Sequence, residues 1–93
     1  NKRKRVCIIS PEYERIRQYI INDLSRGLTI YNVKGGYSGE DKVELEALLS
    51  TDEFSDLMKF VNENEINAFI TAGNVSEVYG LWGDKNRRKH ISK

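Results

Sequence analysis

Cysteine and histidine each occur once in these 93 residues, as Cys7 and His90, proline occurs only at Pro11, and no apolar run approaches the roughly 18 residues that span a bilayer. A lone cysteine excludes an internal disulfide, and one histidine in a basic tail supplies no ligand set for zinc. The shortage of histidine also removes an imidazole general base from the fold. No Ser/His or Cys/His nucleophilic set can be assembled, so an enzyme is the least favoured class and no catalytic residue, metal or cofactor is assigned. Nothing at the start reads as a signal peptide, and a cytosolic setting is expected. The chain opens on Asn1 rather than methionine, and is expected to be a piece of a longer protein, soluble as it stands. Cys7 reads as a small buried hydrophobe on a strand.

What is present is a globular composition, 39% hydrophobic and 31% charged, in a chain long enough for one small core and no second one. The net charge of +1 conceals a segregation. Lys2, Arg3, Lys4 and Arg5 stand at one end, and Lys85, Arg87, Arg88, Lys89 and Lys93 at the other. Between those clusters six cations face fourteen acids, which leaves the body at −8. Phosphate binding across a folded surface needs a clustered cationic face, so this distribution argues against nucleic acid as a partner. The expected division is a basic linker over residues 1–5, a folded domain over 6–83 and a basic flexible tail over 84–93.

Arg5 to Ser10 is a short β-branched run, expected as a buried strand. Ser10 suits an N-cap and Pro11 the first helical position, with Glu12 and Glu14 near the positive end of the helix dipole. Tyr13, Ile16, Ile20 and Leu24 form one apolar helical stripe, and the helix is expected to stop at a left-handed Gly27. Leu28 to Val33 is rich in strand formers. Lys42 to Leu49 places Val43, Leu45, Ala47 and Leu49 on one face, with Glu44 and Glu46 on the other. Ser50 and Glu53 have capping-box spacing ahead of a second stripe, Phe54, Leu57, Met58 and Val61. Ile66 to Ala72 reads as a fourth strand, Thr71 to Val78 as a turn with Asn74 as a candidate N-cap, and Trp82 as an anchor for the chain end.

The order strand, helix, strand, strand, helix, strand specifies an α+β fold. Two interleaved crossovers give a four-stranded antiparallel sheet with both helices on one face, the ferredoxin-like βαββαβ arrangement. The other sheet face has no helix left to cover it, and Cys7, Ile9, Tyr31 and Phe69 are its apolar candidates. Such a face predicts self-association, as a dimer or trimer.

The segments Arg26-Gly-Leu-Thr29, Gly35-Gly-Tyr-Ser-Gly39, Asn67-Ala-Phe69 and Glu77-Val-Tyr-Gly80 carry a resemblance running from about Val6 to Trp82. The chain resembles the C-terminal cytoplasmic domain of the YitT family of bacterial integral membrane proteins, a domain of unassigned function. It departs from the family pattern at Ile66-Asn67 and at Gly80-Leu81-Trp82-Gly83. The resemblance implies a unit similar to signalling proteins of the PII type, whose long hairpin loop and intersubunit clefts bind small ligands. It also implies a parent chain embedded in the membrane, with Asn1 to Arg5 just cytoplasmic to a membrane helix.

Two readings of the glycine-rich connection stay open. In one, Gly35, Gly36 and Gly39 supply positive φ or a bulge in a hairpin, and Tyr37 packs over the sheet edge. In the other, successive N–H groups form an anion-accepting nest, with the Ser38 hydroxyl and the Tyr37 ring added to it, for a small anionic or nucleotide ligand. Thr71, Asn74 and Glu77 are further ligand-binding candidates. Glu44 and Glu46 could hold a cation but read more simply as solvated carboxylates or arginine partners. The expected function is a regulatory or ligand-sensing domain of a bacterial membrane protein; the alternative is an oligomerisation module of that parent with no ligand.

Overall fold

Alternation along the third strand decides which side of the sheet is dry. The computed structural model describes residues 2–80, ordered as β1 (Arg3–Ile9), α1 (Tyr13–Gln18) running on into a π-helical turn (Tyr19–Asp23), β2 (Thr29–Lys34), β3 (Asp41–Ser50), α2 (Thr51–Glu63) and β4 (Phe69–Val75). The strands form one antiparallel sheet in the order β2-β3-β1-β4. β1 is therefore central, and each helix joins two parallel strands that have another strand between them. This is the ferredoxin-like arrangement expected from the sequence.

Val6 and Ile8 of β1 and Leu45, Ala47 and Leu49 of β3 share one side of the sheet by register, and all are buried. They pack in one cluster with Ile16 and Ile20 from the first helix and Leu57 and Val61 from α2. Both helices thus cover the same face. Each fully buried Leu or Ile side chain contributes about 1.5–3 kcal/mol, enough for a core this small to hold. Tyr19, packed against this cluster, stacks on Phe60 with ring centroids 4.2 Å apart.

α2 starts where its chemistry requires. Ser50 Oγ accepts from the Glu53 N–H and the Glu53 carboxylate accepts from the Ser50 N–H, a complete capping box.

Four local expectations are corrected. β1 begins at Arg3, so Arg3, Lys4 and Arg5 are paired strand residues rather than a linker, because Ser50 to Leu48 and Val75 to Gly73 offer them partners on both sides. Ser10 caps a turn ahead of the helix: its hydroxyl accepts from the Glu12 N–H and donates to the Asn67 carbonyl. The first helix ends before Gly27. Its last turn widens, with the Leu24 N–H on the Tyr19 carbonyl and the Arg26 N–H on the Ile20 carbonyl, so the left-handed residue is Ser25 at φ 56°. β4 runs to Val75, so Thr71 to Val75 are strand and not turn, and Asn74 is no N-cap. Trp82 and the tail over 84–93 lie outside the described residues.

Candidate functional site

Residues directly opposite in an antiparallel pair point to the same side, so the register writes out the uncovered face row by row. One row is Tyr31, Glu44, Ile9 and Phe69. The next is Thr29, Glu46, Cys7 and Thr71. Below them come Leu48, Arg5 and Gly73, then Ser50, Arg3 and Val75. The four apolar candidates named from sequence all fall on this face. Tyr31 is 44% and Phe69 68% exposed, too much for core side chains of their size. Cys7 lies among them and is half-buried where full burial on its strand was expected, because the β1 alternation gives the inner side to Val6 and Ile8.

Charges on the face are organised around Glu46. Arg5 Nε donates to its carboxylate at 2.6 Å. That bond is the main cause holding the Glu46 carboxyl below its ordinary range, with Tyr31 adding to it. Hydrogen bonding to the same carboxylate pushes the Tyr31 hydroxyl up. Burial, followed by Glu44 and Glu46, pushes the Cys7 thiol up, which makes it a poor nucleophile at neutral pH.

At the foot of this face lies a cavity of about 620 Å³, walled by Arg3, Arg5, Arg26, Tyr31 and Glu46, by Gly27 to Thr29, and by the segment from Val75 to Gly80. Arg26 reaches it from the connection before β2. Arg26 Nε is fixed on the Glu53 carboxylate at 2.9 and 3.1 Å, in a pair whose side chains are only 18% and 21% exposed. Arg3 has no ion pair among the described residues. On the far wall the Tyr79 hydroxyl donates to the Glu77 carboxylate.

The structure separates the residues singled out in the sequence. Glu77 lines the cavity. Thr71 sits on the open face beside Cys7, outside the cavity wall. Asn74 is on the helix side, where its side chain accepts from Lys4 Nζ. Gly35, Gly36, Tyr37, Ser38 and Gly39 form the tip of the β2–β3 hairpin, with the Tyr37 ring fully exposed and packed on nothing. The Gly35 N–H goes to the Glu40 carbonyl, the Gly39 N–H to the Gly35 carbonyl and the Glu40 N–H to Ser38 Oγ, so three amides of the loop are already taken. Of its glycines only Gly39 has positive φ, at 76°. Lys34, which flanks the loop, is paired with Asp41.

Sequence reading missed Arg3 and Arg26 as wall residues. Arg3 and Arg5 share the outward side of β1 only by its pairing with β3 and β4, which the run of charges does not announce. No group of three or more candidate metal-ligating side chains occurs among the described residues, and no helix there is long and apolar enough to cross a membrane.

Comparison with known proteins gives these features a context. The family described as "Uncharacterized protein conserved in bacteria (DUF2179)" matches residues 26–80. The UPF0750 membrane protein YvjA of Bacillus subtilis (strain 168) is 28% identical over 80 residues, covering 86% of this chain and 28% of that protein. The chain therefore spans less than a third of that relative's length. A DUF2179 structure from Eubacterium ventriosum superposes with a TM-score of 0.67 at 16% identity, over 78% of this chain and 100% of that one. A putative PII-like signaling protein from Thermus thermophilus gives 0.64 at 20% identity, over 80% and 86% of the two chains. CPII, a nitrogen regulatory PII-like protein from Thiomonas intermedia K12 bound to ADP, AMP and bicarbonate, gives 0.58 at 13% identity, over 83% and 93%. Likeness at these identities is likeness of fold.

Proposed function

The chain belongs to the DUF2179 family of uncharacterized proteins conserved in bacteria, and from that premise we propose that it is a non-catalytic regulatory domain that senses a small ligand at the cytoplasmic face of a bacterial membrane protein. It self-associates, as a dimer or trimer, through its open sheet face, and the ligand is a small anion or nucleotide. The observation that carries this reading is the uncovered face with a 620 Å³ cavity at its foot, a volume suited to a small molecule. A longer relative named as a membrane protein supports the membrane parent. A neighbour of the same fold bound to ADP and AMP supports ligand sensing. Glu77 belongs to the proposed ligand site and Thr71 borders it, while the Gly35 to Gly39 loop and Asn74 stand apart as separate contacts.

A thermal-shift screen with nucleotides, cyclic dinucleotides, amino acids and metal ions tests the sensing. A ligand at a hundred times its Kd stabilises by about 2.7 kcal/mol, an easily read shift for a domain this small. Silence from every class overturns the sensing. Light scattering tests the association, and the mass of one chain at high concentration overturns it. The exposed row of Tyr31, Ile9 and Phe69 favours a second reading, an oligomerisation module with no ligand; association together with silence in the screen selects it.

A further inference from the structure

We propose that the cavity at the foot of the open face is a phosphoryl-anion site, the phosphate being carried by a soluble phosphate ester or by an anionic lipid headgroup. The proposal rests on the reading of the domain as a ligand sensor and names the chemistry that the sensor recognises.

Ten lysines and arginines fall within residues 2–80, and the three that meet at this cavity are all arginines. A planar guanidinium presents parallel N–H groups that match the oxygens of a phosphoryl group, which the point charge of lysine does not. Arg3 and Arg5 are two residues apart on one strand, so their Cα atoms are about 6.6 Å apart and both side chains leave the same face. Arg26 comes from a different element and is held by Glu53, whose own carboxylate is fixed by the capping box. Its guanidinium is thereby placed before a ligand arrives. Arg5 binds Glu46 through Nε, and its two terminal amino groups have no partner among the described residues.

Glu46 and Glu77 are the acids of the wall. Glu46 is matched by Arg5 and Tyr31, and Glu77 receives the Tyr79 hydroxyl. Arg5 is matched by Glu46 and Arg26 by Glu53, so Arg3 is the cation of the wall that has no ion pair among the described residues, on a domain whose described residues hold ten cations and thirteen acids. An anion here meets the Arg3 guanidinium and the terminal amino groups of Arg5, on an otherwise acidic body.

The source of the phosphate follows from two arms of one experiment on the whole chain. Calorimetry at fixed ionic strength uses sodium pyrophosphate and AMP as probes, with citrate and sulfate as controls. Cosedimentation uses vesicles of phosphatidylglycerol and phosphatidylcholine against phosphatidylcholine alone. The variants are Arg3→Gln, which breaks no ion pair among the described residues, and Arg5→Gln, with Lys34→Gln at the hairpin as the charge-matched control. Loss of one charge-assisted contact is expected to weaken binding about tenfold in Arg3→Gln and Arg5→Gln and to leave Lys34→Gln unchanged. Arginine-dependent binding of pyrophosphate or AMP assigns a soluble ligand, and arginine-dependent binding to the anionic vesicles assigns a lipid. No binding in either arm, binding indifferent to Arg3 and Arg5, or preference for citrate overturns the proposal. A non-phosphate stabiliser in the broad screen would then leave the sensor reading standing, whereas silence there would remove both.

Discussion

Glu53 serves two structures with one carboxylate, and removing it should hurt more than removing the other half of its capping box. Ser50→Ala deletes one bond, Glu53 N–H to Ser50 Oγ at 3.1 Å, a loss of about 1 kcal/mol for an N-cap. Glu53→Ala deletes the reciprocal bond from the Ser50 N–H at 2.8 Å and also both Arg26 Nε contacts. The Arg26–Glu53 side chains are 18% and 21% exposed, so screening by water is limited. A hydrogen bond to a charged group contributes about 1.5–3 kcal/mol, which puts the total for Glu53→Ala at about 2–4 kcal/mol with the cap included. In a domain of this size each kcal/mol moves the Tm by about 4–8 °C. Thermal unfolding by circular dichroism should therefore show Glu53→Ala melting at least about 5 °C below Ser50→Ala, on the order of 1 kcal/mol. Equal Tm losses in the two variants would refute the claim that the pair ties the Arg26 connection to α2.

The remaining expectations concern other parts of the molecule. Because Arg5 holds the Glu46 carboxyl below its ordinary 4.5, that contact stabilises the fold above that pH and is lost as pH falls through the lowered folded value; Glu46→Gln should flatten the acid limb of Tm against pH, and an unchanged limb would contradict it. Gly39→Ala at φ 76° should lose about 1–2 kcal/mol in urea denaturation, whereas Gly36→Ala, with open space around it, should stay within about 0.5 kcal/mol of the parent. Ile8→Ala, in the middle of the central strand with no solvent exposure, should lose about 2–5 kcal/mol in the same assay. Alkylation of the half-buried Cys7 should be slower than that of a free thiol at pH 8 and should slow further as protein concentration rises, since the open face would then be covered; a rate independent of concentration would count against self-association there.

Much of the architecture was legible because its signals are local. The alternation of Lys42 to Leu49, the two helical stripes and the Ser50–Glu53 box each concern residues within a turn or a strand of one another, and each was found where expected. The failures share a cause. Nothing in the run of charges at Arg3 to Arg5 marks a strand, since it becomes one only when Ser50 and Val75 supply hydrogen-bond partners from residues remote in sequence. Gly27 looked like a helix stop, yet the π-helical turn used an extra residue and handed the left-handed position to Ser25. The glycine loop drew attention by composition, and how the Gly35, Gly39 and Glu40 amides close it was visible only in the structure.

The amino-acid sequence alone determined the order of elements, the two-layer packing and the apolar content of the bare face, because periodicities of two and 3.6 residues declare a burial direction without reference to any partner. Tertiary structure decided which charges meet. Arg3, Arg26, Glu46 and Glu77 come from four separate stretches of chain, and only strand register and the path of the segment after β4 bring them to one cavity. A side chain's own sequence neighbourhood fixes which way it faces, whereas its companions across a sheet depend on pairings between distant segments.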